Sequence, residues 1–345
     1  MEIDFEILEA SIRKEVHMIR LQTHLFEDRQ AFSQNIFSLL TPVGWTVSGG
    51  IKWRSHTMMP AAIYFSASSA DGQYTLNMLP LETYYWEKAS ISVIAKLRGS
   101  PYPQHKVCRP PESALEYLRQ FVMPALGGEK IEDVRRFAEL EQGLLRKYTA
   151  GPGALLEVSA DIAGISYAGG STRGKLACGI VQNKMKNGRI LWMADHILAT
   201  RMPKEDPQQL DWVFPVILNS FRIEQDWYIR YYEYMRESAQ NSAWSDYQPP
   251  SIVHLNSYDE IPDAVRNSYE IHQKSSAQVY RAFTGKRDTY DYYDPYKGHV
   301  VELPSGYNYA YANPLGEYVV TDDAAYHPNA VVRLQWKKLR KTTDL

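Results

Sequence analysis

Cys178 and His196 are the residues of this 345-residue chain whose types could supply a nucleophile and its base, because both fall on one stretch, Gly174 to Arg201, that reads as a β-hairpin. A thiol becomes a nucleophile when a neighbouring imidazole takes its proton. Asn187-Gly188 in the middle of that stretch is a type I′ turn signal between runs of β-formers. A turn there sets Met185 opposite Ile190 and Val181 opposite Ala194. In that register Cys178 faces Ile197 and His196 faces Gly179, so the two side chains leave opposite sides of the sheet and cannot share a proton, whereas a turn moved by one residue would bring them together. Cys178 reads instead as a small buried hydrophobe.

Other chemistries are tested by spacing. The nine histidines are scattered, with no HExxH and no CxxC, and Asp322, Asp323 and His327 form the densest ligand group. Turn-flanking residues of those types serve local hydrogen bonds, so no metal is expected. Gly169 to Gly174 is the nearest approach to a phosphate cradle, but it lies between strands with no helix start to aim amides at an anion. There is no GxSxG elbow. No catalytic residue and no cofactor is assigned. Glu302 with Asp322 or Asp323 could form an acid pair among aromatics that stack on a sugar ring.

Tyrosine is the unusual residue, with 25 in all and nine between Tyr290 and Tyr326. Tyr307, Tyr309 and Tyr311 alternate onto one strand face, and with Tyr296 and Tyr318 they make the candidate binding surface. Tyrosine offers broad, stiff contact area with a hydrogen-bonding tip. The competing reading makes the same rings the core of a small module short of aliphatic bulk.

The elements that must carry these residues are read from composition and pattern. With 44% hydrophobic residues the chain can bury a large core, and 38 basic against 40 acidic residues give a net charge of −2, which draws it neither to nucleic acid nor to an anionic membrane. Two cysteines, no apolar leader and no stretch of about 18 apolar residues lead to the expectation of a cytoplasmic protein. Lys337, Lys338, Arg340 and Lys341 read as a solvated, frayed tail.

Apolar residues from Phe5 to Phe37 recur at helical spacing and predict an N-terminal helical segment over residues 1–40. Trp45, Val47, Ile51 and Trp53 alternate around Gly49-Gly50 and predict two short strands or a bulged one. Asp71-Gly72 predicts a hairpin with Phe65 opposite Met78 and Ala67 opposite Leu76, which leaves Tyr64, Ser66, Ser68, Thr75 and Asn77 on a wet face. Helices are predicted from Ser113, over residues 132–147, over residues 207–237 and from Ala264 to Phe283, with a strand from Leu155 to Tyr167. Residues 238–262, rich in Ser, Asn, Tyr and Pro, separate a domain over 41–237 from a C-terminal helix plus β-meander over 263–345.

Two blocks carry a resemblance. Pro42-Val43-Gly44-Trp45 leading into a hairpin, followed late by Ile217-Leu218-Asn219-Ser220-Phe221-Arg222-Ile223, resembles the PsbP-like fold with its DcrB-type relatives. Asp294 to Asn329 is similar to the Tyr-rich module that follows such a domain in bacterial proteins. The resemblance implies an α+β fold, an antiparallel sheet flanked by helices, and a non-enzymatic binding role. With the aromatic strip, it leads to the expectation of an adaptor or chaperone-like protein with a protein partner. The alternative is a hydrolase acting on a sugar or peptide through the C-terminal carboxylates.

Overall fold

The computed structural model describes residues 18–54, 59–87, 106–126, 129–149, 157–184, 188–206, 210–240, 263–285, 289–331 and 334–344. Of these, 47% are strand and 28% helix, and all but one of the strand pairings are antiparallel. The expected PsbP-like α+β fold is therefore overturned: the chain is dominated by antiparallel sheets, with few helices.

The largest departure lies at the start. The expected helix over 1–40 falls outside the described residues up to residue 17, and from residue 18 the chain forms β1 (Met18–Asp28) and then β2 (Gln34–Pro42). Leu21 and Leu25 are four apart, a spacing in phase with both a helix and a period-two strand, so that signal could not choose between them. Asp28 decides it. Its carboxylate accepts the backbone N–H groups of Gln30 and Ala31, at 3.0 Å each, and closes the turn into β2.

The chain divides into two compact units: His24–Leu39 with Gly44–Arg287, and Met1–Thr23 with Leu40–Val43 and Asp288–Leu345. In the larger unit β3 (Thr46–Trp53), β4 (Ala61–Ser68), β5 (Thr75–Leu79), β6 (Glu82–Trp86), β7 (Lys106–Val107), β8 (Lys130–Arg136), β9 (Val158–Gly169), β10 (Thr172–Lys184) and β11 (Ile190–Pro203) form a sheet of order β3-β4-β5-β11-β10-β9-β8. Off that path β6 pairs with β11 and, in parallel, with β7. The Asp71-Gly72 hairpin has the expected register, Phe65 opposite Met78 and Ala67 opposite Leu76. Around Gly49-Gly50 the chain makes one continuous strand. A Cβ on Gly49 would stand 2.8 Å from the Tyr64 carbonyl oxygen, so only glycine fits there.

Residues 132–136 of the expected 132–147 helix belong instead to the charged outer strand β8, which leaves the helix α2 (Ala138–Thr149) after the short α1 (Ala114–Tyr117). Lys and Arg along such a strand blunt the sheet edge against further pairing. The expected helix over 207–237 is broken into α3 (Val213–Ser220) and α4 (Gln225–Gln240), because Arg222 and Ile223, as β12, pair with Ser38 and Phe37 of β2. The helix α5 (Asp263–Thr284) matches its expectation.

One face of the large sheet packs Cys178, Ile165, Leu176 and Trp192 against Tyr117 and Leu118. On other faces Phe65, Leu198 and Met78 meet α3, α4 and α5, and Ile162, Val181 and Met193 meet Leu144 and Val279.

In the smaller unit the first residues of β1 pair with β16 (Glu317–Thr321), Leu21 opposite Tyr318, and β16 pairs with β15 (Tyr309–Ala312). There β13 (Thr289–Asp294) and β14 (His299–Pro304) form a hairpin. The basic cluster is not frayed. Lys337–Lys338, as β17, pairs with β15, and Arg340–Lys341, as β18, pairs with β13.

Candidate functional site

The central hairpin turns as expected but carries one irregularity that shapes the site. Gly174 faces Arg201 and Ala177 faces Leu198, the anticipated register, whereas Val181 faces Met193 and Lys184 faces Ile190, one residue out of it. The Met185 pairing lies outside the described residues. The slip occurs between Ala177 and Gly179, where the single residue Cys178 stands against both His196 and Ile197. This is a β-bulge on β11, with His196 in the left-handed region at φ +50°. For a non-glycine residue that conformation costs on the order of 1 kcal/mol or more.

The bulge lies where β11 changes partner, since Ile197 faces Leu79 of β5 and Ala194 faces Glu82 of β6. Pro80, which has no N–H to offer a ladder, stands in that gap.

The bulge directs the His196 ring towards α5. Its Nε2 is 3.0 Å from the Ser276 Oγ, and both residues are buried. Its Nδ1 is 2.9 Å from Oδ2 of Asp195, an ion-pair distance between chain neighbours. Asp195 also takes hydrogen bonds at 2.6 Å from both the Lys147 ammonium and the Tyr148 hydroxyl of α2. Burial alone would raise the Asp195 carboxyl, but the neighbouring His196 ring and Lys147 charge hold it well below the usual range. Burial lowers the imidazole of His196. His272, one turn from Ser276 on α5, is pushed down to about 3 by burial and then by the Lys147 charge.

A cavity of about 90 Å³ adjoins these groups, walled by Leu79, Leu81, Trp227, Tyr228 and Tyr231. That is room for a few waters or a ligand fragment, well below the roughly 300 Å³ of a drug-sized site.

Cys178 packs in the cluster on the opposite face from Ser276, and burial raises its thiol well above the ordinary value. The bulge brings its backbone opposite His196 without bringing the side chains together.

A second, larger cavity of about 290 Å³ lies on the same sheet, towards the end remote from the hairpin turn. Its floor is Arg173 and Lys175 of β10 with Ser166 of β9 and Thr200 of β11, and its roof is Phe214, Pro215 and Phe283. Arg173 lies opposite Met202, and Lys175 lies between Thr200 and Ser166. Glu132 enters the wall from a bulge on β8 between Ile131 and Asp133. The Lys175 ammonium donates to the Thr284 carbonyl oxygen at 3.3 Å at the end of α5, and surrounding protein lowers its pKa.

The candidate tyrosines take different positions. Tyr318 is fully buried and donates to Asp294 Oδ2 at 2.6 Å, and Tyr311 is buried against Tyr326. Tyr309 lies under the Lys338 ammonium at 4.5 Å. Tyr296 lies under that of Lys337 at 4.4 Å and donates to the Gln335 carbonyl. Tyr307 is half-buried, its hydroxyl pushed up by burial and by Asp322.

The C-terminal acids are each engaged locally. Glu302 accepts from Thr289, Asp322 from the backbone and side chain of Asn308, and Asp323 from the Ala325 N–H. Among the described residues no group of three His, Cys, Asp or Glu could hold a metal, and no helix is long and apolar enough to cross a membrane.

Sequence reasoning missed Ser276, Asp195, Lys147 and Arg173. Asp195 lay on the hairpin stretch and Arg173 within Gly169 to Gly174, both already singled out, and nothing in their spacing pointed to a serine on another element. Compared with known proteins, the chain matches no family model, no curated protein and no solved structure. The PsbP-like resemblance thus rests on its two short blocks alone.

Proposed function

We propose that this chain acts by binding and not by turnover. The carrying observation is the setting of Ser276. Its Oγ has the base of a Ser-His-Asp arrangement at 3.0 Å, yet it sits in the interior of α5, where the surrounding amides are used by the helix's own ladder. Acyl transfer needs free donors aimed at the developing oxyanion, and a helix interior offers none. The acid member is also committed elsewhere, to Lys147 and Tyr148. The cluster is best read as a polar lock that joins α2 and α5 to the bulge. Ser275 adds to it by donating to the Gly143 carbonyl at 2.9 Å.

The protein-partner form of this reading draws on the small unit. There Tyr293 of β13 is 43% exposed, and Val300, opposite it, is 41% exposed. Side chains of this kind on one sheet suit an adaptor contact with another protein.

Incubation with a fluorophosphonate that phosphonylates activated serines tests binding against turnover. Unlabelled Ser276 together with a stoichiometric partner in a native affinity purification is the expected outcome. Covalent labelling of Ser276 that disappears in His196→Gln would establish a hydrolase instead.

A further inference from the structure

The larger cavity joins a cation to an apolar roof. Arg173 presents a guanidinium whose Nε is buried and has no hydrogen-bond partner among the described residues. A buried donor without an acceptor is costly, and a ligand oxygen placed there would remove that cost. Guanidinium is also the side chain best shaped to take a carboxylate through two parallel bonds.

Beside it Ser166 and Thr200 supply hydroxyls and Lys175 a second positive charge. Phe214, Pro215 and Phe283 offer an apolar surface on the other side. The volume of about 290 Å³ is near the lower end for a small-molecule site.

The charges around the rim narrow the ligand. Glu132 and Asp211 also line the cavity, so its two cations are matched by two acids. A dianionic phosphate would meet repulsion from both acids, whereas a single carboxylate needs only the guanidinium. Lys175 is partly occupied by the Thr284 carbonyl and feels Asp211, which leaves Arg173 as the anchor.

Gly174, between Arg173 and Lys175, is fixed by the same construction. A Cβ there would lie 2.0 Å from the Thr200 carbonyl oxygen and 2.5 Å from the Tyr167 hydroxyl. The strand can therefore pass under Tyr167 while its two basic neighbours point into the cavity.

We propose that this cavity binds a small monocarboxylate with an apolar body, the carboxylate on the Arg173 guanidinium and the body against Phe214, Pro215 and Phe283. The proposal goes beyond the reading of the chain as a binding protein, and its test does not depend on that reading's test. Octanoate, octanol and octyl phosphate are the probes, followed on the full chain by calorimetry and by ligand-detected NMR.

The expected result is that octanoate binds at least about tenfold more tightly than octanol, which lacks the charge, and more tightly than octyl phosphate. In Arg173→Gln the preference for octanoate over octanol should disappear while octanol binding stays, and Phe214→Ala should weaken both. Equal affinity of the wild-type protein for octanoate and octanol, no binding of any probe, or tighter binding of octyl phosphate would each overturn the proposal. The wild-type comparison decides the matter even if a variant fails to fold. Ser276 labelling, by contrast, would sink the binding reading and leave the carboxylate site standing.

Discussion

Nε2 of His196 lies 3.0 Å from Oγ of Ser276, a contact between residues 80 positions apart. It exists because one extra residue in β11 turns the ring out of the sheet and into the face of α5. Ser276→Ala should therefore leave a buried imidazole nitrogen without its partner, at a cost of about 1–3 kcal/mol. A lower urea midpoint with an unchanged slope would show it. An unchanged midpoint would mean that the contact contributes nothing to stability.

Stability should fall as the solution is acidified from neutrality. The folded-state pKa values of His196 and His272 are both lowered, His272 to about 3, while the unfolded chain takes up these protons near the ordinary histidine value of 6.5. Below that value the unfolded state binds more protons than the folded one, so each histidine favours unfolding by up to about 1.4 kcal/mol per pH unit. Above it their effect is flat. Asp195, with its pKa depressed, adds a further loss only below its unfolded value of 3.8. Urea midpoints between about pH 7 and about pH 5 should drop, and His272→Gln should reduce the slope. A flat profile would show that the two rings titrate alike folded and unfolded.

Asp28 should be one of the costliest positions to empty. It is fully buried and accepts the indole N–H of Trp53 at 3.1 Å and that of Trp227 at 3.1 Å, besides the two backbone bonds of its turn. Asp28→Ala should destabilise by roughly 3 kcal/mol or more, since several donors to one charged acceptor are stranded together. Asp28→Asn keeps one acceptor oxygen and should lose less. Denaturation followed by tryptophan fluorescence can rank the two, and a milder alanine variant would contradict the account.

Gly174→Ala should be poorly tolerated for reasons of space alone. The added methyl meets backbone as well as the Tyr167 ring, so removal of the hydroxyl in Gly174→Ala with Tyr167→Phe should restore only a part of a loss of more than about 2 kcal/mol. Full recovery in the double variant would place the clash on the hydroxyl and not on the Thr200 carbonyl.

Much of the sheet was legible where a turn signal fixed a register. Asp71-Gly72 placed Phe65 on Met78, and the far half of the central hairpin kept its expected pairing. The near half did not, because a bulge at His196 has no residue signature: histidine in the left-handed region is tolerated only when partners on α2 and α5 over-determine it. The N-terminal strands were hidden by a different ambiguity, since Leu21 and Leu25 satisfy both periodicities. The helix break at Arg222 and Ile223 was set by pairing with Phe37 and Ser38, residues far away in the chain. The site was the least visible part, because Asp195, Ser276 and Lys147 come from three separate elements, and Arg173 fell in Gly169 to Gly174, a stretch that reads as a loop between strands.

The pairing of β1 with β16 also sets a timetable. Thr23 donates from both its hydroxyl and its backbone N–H to the Gly316 carbonyl, 293 positions later. At roughly 5–20 residues per second, a ribosome needs about 15–60 s to supply that partner after Thr23 has been made. Throughout that interval the first strand of the small unit has an open edge. Nascent chains halted before residue 316 should therefore be those most readily captured by chaperones or by one another, although most of the larger unit has already been synthesised.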